Sequence, residues 1–75
     1  MSVLPRISGR EAVSVFRKLY ELDRQRGSHI ILRHTLPPHR RLTVPDHREV
    51  AKGTLRALIR EAGITVEDFI TLARS

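Results

Sequence analysis

Apolar residues at Ala12, Val13, Phe16, Leu19 and Tyr20 follow the spacing that gathers side chains on one face of an α-helix. Just before them, Ser8, Gly9, Arg10 and Glu11 have the form of a capping box, in which the Ser8 hydroxyl accepts from the backbone N–H of Glu11 and the Glu11 carboxylate reaches back to Ser8. A first helix is therefore expected to begin here. From Tyr20 the period changes: Tyr20, Glu21, Leu22 and Asp23 alternate apolar and polar, so 20–26 reads as a strand in preference to another two turns of helix. Gly27 and Ser28 supply turn chemistry, and 28–34, with Ile30, Ile31 and Leu32 at its centre, reads as a second strand. Pro37 and Pro38 cannot donate into a ladder, so 35–39 is a hairpin loop. Over 40–44, Leu42 and Val44 alternate with Arg41 and Thr43, and Pro45 closes a third strand.

The remaining pattern is helical. Leu55, Ala57, Leu58, Ile59 and Ala62 predict a helix starting near Thr54 and ending at Gly63 in a left-handed conformation. Thr65 to Asp68 repeats the capping-box logic, with Ile64 and Phe69 at the two positions of a hydrophobic staple, so a short third helix ends the chain. The expected fold is a two-layer α+β domain over 1–75: helix, three-stranded antiparallel sheet, helix and short C-terminal helix, with the helices on one face.

Composition limits what can hold this fold together. Seventy-five residues suit one domain, and the chain has no cysteine, so neither disulfides nor thiolate-bound metal reinforce a small core. With two Phe, one Tyr and no Trp, aliphatic side chains must fill it. No apolar run approaches the roughly 20 residues needed to span a bilayer, and the N-terminus lacks a signal-like apolar region, so a cytoplasmic protein without membrane contact is expected.

Charge narrows the partner. The net charge is +6, and twelve of the fourteen basic residues are arginine, whose planar fork pairs bidentately with phosphate. Between Arg24 and Arg60 nine basic residues face two acidic ones, a local balance of +7, whereas the flanks together carry −1. A cationic centre on a small domain suits a polyanion such as nucleic acid; the plainer reading is a merely solubilising surface.

If Ile30 and Leu32 point into the helices, His29, Ile31 and Arg33 lie on the opposite, open face. His34 shares the inward parity and reads as a partly buried edge histidine. The four histidines do not make a metal site by spacing: His29 and His34 face opposite ways, His39 lies on the proline loop, and no histidine pair at helical spacing exists. His47 is a structural loop histidine, a phosphate contact or a supporting catalytic group. At the second helix, the free N–H groups at Gly53 and Thr54, with Lys52 and Arg56, suit a phosphate; the alternative is a solvated helix end capped by Thr54. Nucleotide-loop and hydrolase-elbow fingerprints are missing, and the carboxylate pairs Glu21/Asp23 and Glu67/Asp68 lie near no evident cleft.

Taken together, "RQRGSHIILRH", "LTVPDH" and "AKGTLRALIREAGITVEDF" resemble the HicA (YcfA-like) family of toxin–antitoxin ribonucleases, over nearly the whole chain from Ser8 to Leu72. The resemblance implies a fold like that of double-stranded-RNA-binding domains, and an mRNA interferase held inactive by a HicB-type antitoxin. It also implies a catalytic histidine in Gly-Ser-His, here Gly27, Ser28 and His29. Members often have Gly where the first helix turns into the first strand, and this chain has Leu19. Many carry a second histidine after the catalytic one; here it is Ile30, which parity aims inward.

Histidine suits such chemistry because its ordinary pKa of about 6.5 lets it take a proton from the RNA 2′-hydroxyl near neutral pH. No cofactor or metal is required. Arg33 and Arg24 are candidates to stabilise charge on phosphorus, with Arg26, Gly27, Ser28, Lys52, Gly53, Thr54 and Arg56 as further RNA contacts. Ile31 is available to a partner protein or to a second copy of the chain. The competing readings are a non-catalytic RNA-binding module of the same fold and an adaptor for an acidic protein.

Overall fold

The computed structural model describes residues 3–75. Its order is α1 (Gly9–Phe16), β1 (Tyr20–Arg26), β2 (His29–His34), β3 (Arg41–Pro45), α2 (Lys52–Glu61) and α3 (Val66–Arg74), with an antiparallel sheet ordered β1-β2-β3. This is the expected α+β arrangement, like that of double-stranded-RNA-binding domains. The core lies between the helices and one face of the sheet, where Ile30, Leu32, Leu42 and Val44 are buried against Ala12, Phe16, Leu55, Leu58, Ile59 and Phe69.

Both capping boxes form. Ser8 Oγ accepts from Glu11 N–H at 3.0 Å while Glu11 accepts from Ser8 N–H at 2.9 Å, and Thr65 and Asp68 exchange the same pair at 3.0 and 3.1 Å. Gly63 takes φ +74° past the end of α2, where a Cβ would be strained. Ile64, at the staple position before the cap, packs partly buried against the core that contains Phe69.

The strand expected over 20–26 is β1, and the structure fixes where α1 ends and where α2 begins. The helical spacing extends to Tyr20, but α1 stops at Phe16: Lys18 N–H bonds Val15 O at 3.2 Å and Leu19 N–H bonds Phe16 O at 2.9 Å, tightening the last turn. Tyr20 then reaches the core from β1, edge-on to Phe16 at 6.4 Å between ring centres. Leu19 packs partly buried, and its carbonyl accepts from the Thr35 N–H and hydroxyl, each at 3.2 Å, tying the turn to the end of β2. In α2 the cap is Ala51, so Thr54 lies inside the first turn and does not cap it.

The segment before α1 was invisible to periodicity. Leu4 is buried, Val50 N–H bonds Ile7 O at 2.8 Å, and Gly9 N–H bonds His47 O at 2.8 Å, so this arm runs against the β3–α2 loop and closes the bottom of the core. Here α1 meets β3 so closely that a Cβ on Gly9 would lie 1.9 Å from the Pro45 carbonyl oxygen. Phe69 of α3, fully buried, lies against Phe16 with ring centres 5.2 Å apart and planes tilted by 52°. Truncating it to Ala should cost about 3–5 kcal/mol, the usual range for a buried phenylalanine.

Two glycine substitutions test this packing in opposite directions. Gly9→Ala drives a methyl into backbone and should lower the urea midpoint severely or prevent folding. Gly53→Ala, in a helical position with nothing within 4 Å of the new Cβ, should raise stability by up to about 1 kcal/mol. Equal effects of the two would contradict the close approach at Gly9.

Candidate functional site

The β1–β2 hairpin turns on Gly27 and Ser28, with Gly27 at φ +57°, a left-handed conformation suited to glycine. Its tip is braced from below. Gln25 Nε2 donates to Gly27 O and to Asp46 Oδ2, both at 3.0 Å, and Asp46 N–H donates to Ser28 O at 2.7 Å. Arg10 of α1 in turn donates to the Asp46 carboxylate through Nε at 3.2 Å and Nη2 at 3.4 Å. The hydrogen bond from Arg10 holds the Asp46 carboxyl below the usual carboxylate range, with Gln25 adding to it.

His29 follows this braced turn as the first residue of β2 and is exposed on the face away from the helices. Arg26 is its partner on β1 and Pro45 on β3. The next row across this face is Arg24, Ile31 and Thr43; the third is Glu21, Arg33 and Arg41. Ile30, at 5 % exposure, is in the core, as parity required.

The arginines reach this face because of an irregularity. Strict alternation from Tyr20 would send Arg24 and Arg26 to the helix side, but the register shifts between Leu22 and Arg24, leaving Asp23 as the extra residue of a bulge. Beyond it, Gln25 turns inward toward Asp46 while Arg24 and Arg26 turn outward beside Ile31 and His29.

Charge is unevenly distributed over the outer face. Arg33 is held by Glu21 at 2.6 Å and Arg41 by Asp23 at 2.9 Å, and the Arg41 bond keeps the Asp23 carboxyl below its ordinary range. Among the described residues Arg24 and Arg26 form no salt bridge. The surface is thus cationic at the His29 end and paired at the other.

The residues singled out in the sequence fall into separate groups. Arg24, Arg26, Gly27, Ser28 and His29 come together at the hairpin end. Arg33 does not join them: four residues along β2 from His29, it is about 13 Å away at strand rise and is bound to Glu21. His47 leaves β3 two residues past Pro45, the partner of His29, and lies close enough to Asp46 to favour its charged form. Lys52, Gly53, Thr54 and Arg56 are exposed on the early turns of α2, and Thr54 lines a groove beside β3 instead of the His29 face. His34 is half-buried as expected, its ring edge-on to Tyr20 at 4.8 Å and its Nδ1 accepting from Leu36 N–H at 3.0 Å. The brace of Arg10, Gln25 and Asp46 was missed; the available signal was Gln25, a polar residue in a strand whose neighbours face charge.

With this geometry in place, comparison with known families adds one finding. A family model described as the HicA toxin of bacterial toxin–antitoxin systems matches residues 9–64, about three quarters of the chain. The chain belongs to the HicA toxin family. The HicA match runs from the start of α1 through α2, contains the whole hairpin site, and ends just before α3. No curated protein and no solved structure matches the chain. No helix among the described residues is long and apolar enough to cross a membrane.

The Asp46 brace predicts an acid-sensitive fold. Because its folded-state pKa lies below the unfolded value of about 3.9, its contribution to stability is complete above that value and disappears as pH falls through the folded pKa. Urea midpoints measured from pH 2 to 7 should show a weaker acid slope in Asp46→Asn than in wild type. An identical slope would show that the carboxylate adds nothing to folding.

Proposed function

We propose that this HicA-family chain is an endoribonuclease that cuts mRNA, is restrained by a HicB-type antitoxin, and uses His29 as its general base. The observation that carries this reading is the position of His29: exposed on strand backbone, directly across from Arg26 and one row from Arg24, beyond a turn at Gly27 where nothing lies within 4 Å of the place a Cβ would take.

The chemistry needs only groups that RNA and this face supply. The His29 imidazole takes the proton of a 2′-hydroxyl as its oxygen forms a bond to the adjacent phosphorus. The bond from phosphorus to the 5′-oxygen of the next nucleotide breaks, and that oxygen leaves with a proton as a 5′-hydroxyl. The other product is a 2′,3′-cyclic phosphate. Charge gathering on the non-bridging oxygens is met by Arg24 and Arg26, which form no salt bridge among the described residues, in place of Arg33. His47, leaving β3 at the same end of the sheet, is the candidate acid for the leaving oxygen. Ser28 and the Gly27 backbone contact phosphate at the turn, while Lys52, Gly53, Thr54 and Arg56 hold a more distant part of the RNA by charge and helix-end N–H groups. The step needs no metal ion.

His29→Ala should reduce cleavage of single-stranded RNA by roughly 10²- to 10⁴-fold, the span of general-base catalysis, while changing RNA affinity by no more than about twofold. Arg24→Ala and Arg26→Ala should slow cleavage more than Arg33→Ala, a chelator should leave the rate unchanged, and mass spectrometry should find cyclic phosphate ends. Expression of the wild-type chain alone should arrest growth, and His29→Ala should relieve it. RNA bound tightly but left uncut by the wild type would instead identify a non-catalytic binding module.

A further inference from the structure

The sheet has two edges, and only one is disrupted. Along β1 the bulge at Asp23 breaks the register, a device that discourages strand pairing. Along β3 the pairing with β2 runs without a shift from Arg41 opposite Arg33 to Pro45 opposite His29. His34 N–H donates to Arg40 O at 2.8 Å and Asp46 N–H to Ser28 O at 2.7 Å, so the even-numbered residues of this strand bond inward to β2. By the alternation of an antiparallel ladder, Arg41 and Thr43 turn their N–H and C=O groups to the open side. Among the described residues nothing pairs with them. The edge ends at Pro45, which has no N–H and whose carbonyl is covered by Gly9.

Beside these free groups lies a groove of about 730 Å³. Arg40, Arg41 and Thr43 form its sheet side, and Thr54, Ala57 and Leu58 of α2 form the other. Glu61 is the one acidic residue lining it. A strand laid along β3 would send one row of side chains toward Ala57 and Leu58, which suits apolar residues of modest size. Its other row would stand beside Arg41 and Thr43 on the outer face, where an acidic side chain opposite Arg41 would share that guanidinium with Asp23.

We propose that the edge of β3 is a strand-addition site for an extended segment of a protein partner that alternates acidic and apolar residues and becomes the fourth strand of the sheet. This deepens the antitoxin part of the proposed function, since a restraining protein is the partner in view, but it does not depend on His29 chemistry. Charge disfavours a second copy, because each chain carries +6 and brings Arg40 and Arg41 to the seam. RNA is a poorer fit because phosphates offer acceptors only, whereas the edge presents the Arg41 and Thr43 carbonyls together with their N–H groups.

The test uses the full chain and a capped peptide alternating Glu and Val, with two controls: the same peptide N-methylated at alternate residues, and a uridine oligonucleotide. Amide hydrogen exchange and chemical shifts are read at Arg41 and Thr43. The expected result is that the Glu–Val peptide slows exchange at both amides and that N-methylation weakens binding by about tenfold or more, a loss of about 1.4 kcal/mol. Thr43→Pro, which removes an outward N–H and spares the ladder to β2, should weaken the peptide similarly and leave RNA cleavage unchanged. Equal binding of both peptides would reduce the site to simple charge attraction and overturn the proposal. Protection of these amides by the oligonucleotide but not by the peptide would assign the edge to RNA and overturn it as well. Because peptide binding, not cleavage, is the readout, a failed ribonuclease assay cannot be mistaken for a failed edge. Should Thr43→Pro not fold, the N-methylated peptide still decides.

Discussion

Antiparallel pairing fixes both neighbours of β2, and this constraint places His29 on the outer face. Ile30 and Leu32 must lie under the helices for the core to close, so His29 must lie on the other face. A slip of one residue would bury the imidazole and expose two aliphatic side chains. The same ladder sets Arg26 and Pro45 across from it, and the hydrogen bonds from Gln25 and Asp46 to the turn hold the hairpin end in register. The position of the proposed base therefore follows from the hydrophobic demand of its neighbours, with Arg10 linking α1 to the same brace through Asp46.

Acidic residues on this small cationic domain act by choosing which arginines remain available. Exposed ion pairs contribute little to stability, and the pairs Glu21–Arg33, Asp23–Arg41 and Arg10–Asp46 all involve solvent-exposed arginines or carboxylates. Their larger consequence is spatial. They leave Arg24 and Arg26 unpaired beside His29 and occupy Arg33, which an even distribution of charge would have left open. A phosphate approaching the outer face thus meets free guanidiniums at one end only.

Much of this was legible because local signals agreed with one another. The two capping boxes, the Gly63 helix end, the proline loop and the parity of β2 each rest on chemistry within a few residues, and each appears in the structure as read. What was illegible depends on distant partners. The end of α1 was hidden because Tyr20 satisfies both the helical period and the first inward position of β1. Leu4 and Val50 belong to no periodic element. The bulge at Asp23 left no mark in the alternation of Tyr20 to Asp23, yet it decides which face receives Arg24 and Arg26. Arg33 shared the right face but not the right distance, and its Glu21 partner comes from the neighbouring strand.

The bulge also connects the two surfaces. It blunts the β1 edge and places Asp23 where its carboxylate reaches across β2 to Arg41. An acidic strand added at β3 would compete for that guanidinium. Once displaced, Asp23 has Arg24 and Arg33 as the other cations that already favour its charged form, and Arg33 is engaged by Glu21. The pairs Glu21–Arg33 and Asp23–Arg41 thus tie the β3 edge to the outer face of the sheet at the end away from His29.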